Sequence, residues 1–280
     1  MCDLNDQEEL KRYNRRDFGA WAASAGLLTA LPGVANAVAV SEREVTITTP
    51  DGVCDAYFVA PTAGAAPGVL VWPDVFGLRP AFRQMGRRLA ESGYSVLVVN
   101  PFYRQKKAPT APQGGQTPIA EVMPLMQALT PAMHLADGKS FVAWLDAQPE
   151  VDKARKLGTT GYCMGGPIAV RTATVAPGRV GAVGTFHGAG MVTAAPDSPH
   201  RLVAQTRASY LIAIAESDDT KEPDAKLALR AALDSAKLPA EVEVYPAAHG
   251  WCPPDTRVYD AAQADRAWAR LLATFGKALA

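Results

Sequence analysis

The chain has 280 residues, 28 basic against 28 acidic, and a formal net charge of zero; it carries no basic groove or basic stripe interleaved with aromatics, which excludes nucleic acid as a partner. Hydrophobic residues make up 48%, ample for a sheet covered on both faces, and no repeat or low-complexity tract divides the chain. The four cysteines form no disulfide framework, and no cysteine or histidine spacing suits zinc.

The first element in chain order is a leader. Asn14-Arg15-Arg16-Asp17-Phe18 is a twin-arginine pattern, an apolar run follows from Gly19 to Leu31, and Ala35-Asn36-Ala37 offers a small-residue cleavage site. Residues 1–37 therefore read as a Tat-type export signal, and residues 38–280 as one domain destined for the periplasm. The Tat export machinery is then a transient partner. The apolar run is shorter than the ~20 residues of a comfortable membrane span, so no stable span is expected after cleavage. Two alternatives stand: retention at the inner membrane through an uncleaved signal, and a cytoplasmic protein with an N-terminal tail, which the acidic start (Asp3, Asp6, Glu8, Glu9) favours.

Beyond the leader, strands are predicted at 44–49, 53–59, 68–72, 95–99, 157–161, 181–186, 209–215 and 241–245. After the first hairpin they alternate with predicted helices at 80–92, 132–147, 165–176, 222–236 and 257–278. Helical spacing is clearest in the last, where Val258, Ala261, Ala262, Trp268, Leu271, Leu272 and Phe275 mark one face. The alternation predicts an α/β fold: a mostly parallel central sheet of about eight strands with helices on both faces. Residues 105–131, rich in Pro, Gln, Gly and Thr, break the pattern and are expected as a loop or cap.

Gly161-Tyr162-Cys163-Met164-Gly165-Gly166 reads as a nucleophile elbow with sulfur in place of the usual serine. A strand-to-helix turn this tight needs glycine on both sides and lifts one side chain above the sheet edge. The approach, Lys156-Leu157-Gly158-Thr159-Thr160, is a weak strand, and the bland alternative is a glycine-rich turn holding a buried cysteine. The Met164 amide, opening a helix, favours anionic charge beside Cys163.

Two partners follow in the order nucleophile, acid, histidine. The apolar run Tyr210 to Ala215 breaks into an acidic loop that places Asp218 near a strand's carboxyl end, with Asp219 and Glu216 as alternatives. His249 follows the alternating strand Glu241-Val242-Glu243-Val244-Tyr245. Such strand ends are where sites assemble in a parallel sheet. A free thiol has a pKa near ~8.5, so His249 would take the thiol proton while Asp218 holds the imidazole in the right tautomer. Sulfur favours activated acyl groups, because a tetrahedral intermediate with a poor amine collapses back toward the thiolate.

On these residues the chain resembles the dienelactone hydrolase family, α/β-hydrolases with a Cys-Asp-His triad, from roughly Glu44 to the C-terminus. The family's Gly-x-Cys-x-Gly-Gly elbow stands at Gly161 to Gly166. Its acidic residue after the first central strand stands in Trp72-Pro73-Asp74-Val75-Phe76-Gly77-Leu78 as Asp74, where members active on dienelactone carry glutamate. The resemblance makes the Val75 amide the second oxyanion donor beside Met164. It makes Arg104 the arginine that pairs with the acidic residue and with a substrate carboxylate; Asp74 also suits a plain helix N-cap. A second family arginine, four residues past the histidine, is replaced by Pro253, with Arg257 nearby expected to open the last helix.

The expected function is cleavage of a small ester or lactone, of carboxymethylenebutenolide type, through an acyl-thioester on Cys163, with no metal or organic cofactor. The alternatives are a thioesterase or acyltransferase using the same triad, and a catalytically silent binding protein. Tyr103, Phe76, Trp251 and Met164 are candidates for an apolar pocket. His187 is either pocket-lining or a satisfied strand-end histidine, and Cys54 and Cys252 are either bonded or simply buried.

Overall fold

The computed structural model describes residues 30–280; the twin-arginine motif and most of the leader lie outside them. Ala35, Asn36 and Ala37 are exposed, ahead of the first strand. No helix of the described residues is long and apolar enough to cross a membrane.

Eight strands form one sheet: β1 (Val40–Thr49), β2 (Gly52–Pro61), β3 (Gly68–Trp72), β4 (Ser95–Val99), β5 (Leu157–Tyr162), β6 (Val180–Phe186), β7 (Ser209–Ala215) and β8 (Ala240–Tyr245). Their order is β1-β2-β4-β3-β5-β6-β7-β8. The β1–β2 hairpin joins β4 antiparallel, and every other neighbour pair is parallel. β3 and β4 are buried at every position, as suits strands covered on both faces. β5, weak by composition, is equally buried, because its place between β3 and β6 supplies the ladder that its own glycines favour poorly.

The helices are α1 (Pro80–Glu91), α2 (Ile119–Gln127), α3 (Pro131–Ala147), α4 (Gly165–Val175), the short α5 (Pro199–Leu202), α6 (Glu216–Lys221), α7 (Ala225–Ser235) and α8 (Ala261–Ala278). On one side of the sheet Trp72, Phe141, Leu145 and Ile168 share a core; on the other, Phe82, Tyr162, Phe186, Leu271 and Phe275 do. α8 buries Ala264, Ala267, Leu271 and Phe275, one stripe at helical spacing.

Three local expectations change. The acidic stretch after β7 is the helix α6 rather than a loop: Glu216, Asp218 and Asp219 occupy its first turn, where the helix dipole favours carboxylates. The single helix expected over 222–236 begins only at Ala225, because Glu222 precedes Pro223 and leaves the helical region at φ −130°. α8 opens at Asp260, whose side chain accepts from the Gln263 amide, so Arg257 lies in the preceding loop.

Register places the chemistry. Trp72 pairs with Gly161, Gly161 with Thr185, Phe186 with Ala213, and Ala215 with Tyr245. The segments bearing Asp74, Cys163, His187, Asp218 and His249 therefore all leave the sheet at one rim.

Candidate active site

The elbow is a packing solution that only glycine permits. A Cβ at Gly161 would lie 1.9 Å from the Gly165 carbonyl oxygen, and one at Gly165 would lie 2.3 Å from that of Trp72. With those side chains absent, α4 closes onto the end of β5 and Cys163 is held at φ +52°, a region that non-glycine residues occupy at a cost. Cys163 donates its N–H to Phe186 O (3.0 Å), while its carbonyl accepts from Gly166 and Ala189 at 3.0 and 3.1 Å. Met164 is the N-cap residue of α4. Among the described residues, neither the Met164 nor the Val75 amide is donated to a protein acceptor.

The Asp–His pair rests on two interlocked loops. Glu216 N–H donates to Ala247 O at 3.0 Å, and His249 N–H donates to Ser217 Oγ at 2.9 Å. His249 Nδ1 lies 2.8 Å from Asp218 Oδ2. A carboxylate only accepts, so Nδ1 carries the proton and Nε2 is the basic nitrogen. Of the other acids open in the sequence, Asp219 pairs with Lys226 at 2.6 Å and Glu216 is exposed.

His187 stands behind this pair. Its ring centroid is 5.0 Å from those of both His249 and Trp251, its backbone has φ +40°, and its N–H donates to Ala213 O at 2.8 Å. Neither ring nitrogen has a hydrogen-bond partner among the described residues, so it is not a satisfied strand-end histidine. Burial, then the neighbouring His249, hold it well below the ordinary range for histidine; it is a neutral wall behind the His249 ring.

The arginine assignment changes. Asp74 is buried, but its partner is Arg79, which reaches its two oxygens at 2.6 and 3.0 Å. Asp74 Oδ1 also accepts the Phe76 amide at 2.9 Å. Arg79 is 1% exposed and bonds Asp255 as well, through Nε and Nη2 at 2.7 and 2.9 Å. Burial pushes the Asp74 carboxyl up, with Arg79 working against it and Asp255 adding to it. Arg104 does not meet Asp74. It bonds Asp137 at 2.7 and 2.8 Å and Asp51 at 2.6 and 3.0 Å. The reason is strand order: β4 lies between β2 and β3, so the residues after it open toward the β1–β2 turn that carries Asp51. Tyr103 joins the same network through Thr49 and Asp137 and is no pocket wall.

Residues 105–131 are a cap, partly helical. A turn at Gly114–Gln116 is fastened by Gly115 N–H to Asp255 Oδ2 (2.9 Å) and by the Gln116 side chain to Asp255 O (2.6 Å). Arg257 donates to Gln116 Oε1 at 2.9 Å. Val122 and Ala111 are buried with Val75, Phe102, Cys163 and Met164. Beside Met164 lies a cavity of about 150 Å³, lined by Met126, Leu129, His134, Met164, Ile168 and Ala189 among others. Of the aromatics expected around a pocket, Phe76 packs against this cluster, whereas Trp251 stacks on Tyr245. Cys54, Cys163 and Cys252 form no disulfide, and among the described residues no three His, Cys, Asp or Glu side chains cluster as a metal site. Arg79, Asp255 and His134 are the members of this region that the sequence did not flag.

Residues 54–279 match the model of the dienelactone hydrolase family. A Salmonella typhi relative provisionally named carboxymethylenebutenolidase is 28% identical over 232 residues, 79% of this chain and 82% of its own length. One from Synechocystis, named in the same provisional way, is 29% identical over 238 residues, 82% and 94% of the two chains. Among solved structures, a Klebsiella pneumoniae protein provisionally described as a dienelactone hydrolase superposes with a TM-score of 0.75 at 26% identity, covering 85% of this chain and 99% of that one.

Proposed function

Because the chain belongs to the dienelactone hydrolase family, and is thus an ester or lactone hydrolase, we propose that it works through an acyl-thioester on Cys163. His249 Nε2 takes the thiol proton, Sγ attacks the acyl carbon, and the carbonyl electron pair moves onto oxygen between the Val75 and Met164 amides. When the pair returns, the C–O bond to the leaving group breaks and the imidazolium hands its proton to the departing oxygen. Water, deprotonated by the same nitrogen, then attacks the thioester; the C–S bond breaks and the thiol regains its proton. Asp218 holds the tautomer throughout.

The observation that carries this reading is the 2.8 Å Asp218–His249 contact at the rim where the strained elbow presents Cys163. Cys163→Ala is expected to abolish turnover of short-chain p-nitrophenyl esters and of simple lactones; retained turnover overturns the assignment. Products analysed with a competing alcohol distinguish hydrolysis from acyl transfer. The substrate favoured is uncharged rather than carboxylate-bearing, since Arg79 and Arg104 are each occupied by two protein carboxylates. Export to the periplasm is also proposed, supported by the twin-arginine motif and the exposed Ala35-Asn36-Ala37 sequence.

A further inference from the structure

We infer that His134 selects the substrate, by hydrogen bonding a hydroxyl at the far end of a compact, benzene-sized acyl group seated in the cavity beside Met164. This deepens the ester-hydrolase reading above and rests on it.

His134 belongs to the first turn of α3, where its amide donates to Thr130 O at 3.1 Å and Pro131 sets the helix start. His134 lines the same cavity as Met164, with Met126 and Leu129 from the cap and Ile168 from α4. Those neighbours are apolar. Both ring nitrogens are buried, and neither has a hydrogen-bond partner among the described residues. Buried polar atoms are nearly always satisfied, so a ring left with unmet valences at a cavity wall points to a ligand with a polar group that meets one of them. The cavity opens beside the reacting centre: Met164 follows Cys163, and the Ala189 amide bonds the Cys163 carbonyl at 3.1 Å.

The chemistry of the ring narrows the ligand. Burial, with the charges of Arg171 and Arg104 adding and Asp197 opposing, lowers His134 to about 3, so the imidazole is neutral at working pH. A neutral imidazole has one donor and one acceptor nitrogen on diverging vectors, and a hydroxyl, which both donates and accepts, complements whichever of the two it meets. A carboxylate only accepts, and the nearby cations are engaged: Arg104 holds Asp51 and Asp137, and Arg171 lies 3.6 Å from Asp197. An apolar cavity of about 150 Å³ suits a ring the size of benzene.

The test compares kcat/KM for p-nitrophenyl esters of benzoic, 3-hydroxybenzoic and 4-hydroxybenzoic acids, in the wild type, His134→Phe and His134→Gln. One hydroxybenzoate is expected to exceed benzoate by on the order of ten-fold in the wild type, the value of one well-made hydrogen bond. His134→Phe should bring the ratio to about one, and His134→Gln, which keeps a donor and an acceptor, should restore part of it. The ratio is internal to each variant, so a general loss of activity does not imitate the result. Equal ratios in wild type and His134→Phe overturn the inference. Calorimetric binding of phenol and toluene to Cys163→Ala separates this inference from the hydrolase reading. A phenol preference that disappears on adding His134→Phe supports it even if no ester is turned over, and absence of that preference refutes it.

Discussion

Replacing Arg79 by Met tests the buried charge cluster of Arg79, Asp74 and Asp255. Arg79 makes four hydrogen bonds to carboxylate oxygens, two to Asp74 and two to Asp255, between 2.6 and 3.0 Å. The methionine fills similar volume but leaves two carboxylates facing each other, with Asp74 only 3% exposed. Breaking a buried ion pair by removing one partner costs about 3–5 kcal/mol. At about 2–4 °C per kcal/mol for a domain of this size, the midpoint of thermal unfolding should fall by roughly 10 °C at pH 8. The sign of the pH dependence follows from the groups left behind. Without the guanidinium, burial and Asp255 both raise Asp74, so the variant's Asp74 is raised in the folded state relative to the unfolded one. Such a carboxyl is tolerated when protonated at low pH, and stability is lost as pH rises through the folded value. The deficit in urea unfolding should therefore be larger at pH 8 than at pH 5, and adding Asp74→Asn should recover part of it. A loss below about 1 kcal/mol at pH 8, against the 3–5 expected for a buried pair, would refute the reasoning, as would a deficit equal at both pH values.

Four further outcomes are expected. Asp218→Asn should lower kcat by about 10³–10⁴-fold with little change in thermal midpoint, since the altered group holds a tautomer rather than the fold. Gly161→Ala should yield little soluble, active protein, because its Cβ would overlap the Gly165 carbonyl at 1.9 Å; wild-type expression and activity would contradict the elbow packing. His134→Gln should flatten the pH dependence of stability: the native ring titrates at about 3 and an unfolded histidine near ~6.5, so stability present above pH 6.5 falls by up to ~1.4 kcal/mol per pH unit toward 3. Urea midpoints from pH 7 to pH 4 measure that slope. Mass spectrometry of the periplasmic fraction should find a mature N-terminus at Val38, and an intact leader there would count against cleavage after Ala37.

The parts of the fold and site legible in the sequence are those encoded locally. Glycine on both sides of Cys163 announces the elbow because the contact it relieves, Gly161 against Gly165, spans only a few residues. Strand ends at 215 and 245 locate Asp218 and His249 because short loops leave little choice of rim. The sequence favours Asp218 and leaves Asp219 and Glu216 open; the helix α6 separates the two aspartates, turning Asp218 to His249 and Asp219 to Lys226. Arg104 carried no local sign that strand order would turn it toward Asp51 and Asp137. Arg79, five residues after Asp74, looked like an ordinary residue before a helix-opening proline; its second partner, Asp255, is 176 positions away. His134 was silent because an unmet imidazole is defined by its surroundings, which no spacing reveals.

The fastening of the cap to Asp255 decides which end of that segment can yield. Raising Gly115 and Gln116 means pulling against the carboxylate that neutralises Arg79, so a buried charge resists movement there. The Met126–Leu129 end is held by apolar packing and, among the described residues, by one exposed bond from Gln105 to Leu125 O. The methionine side is therefore the end expected to yield first, since supple thioether side chains part and reclose more readily than an ion pair.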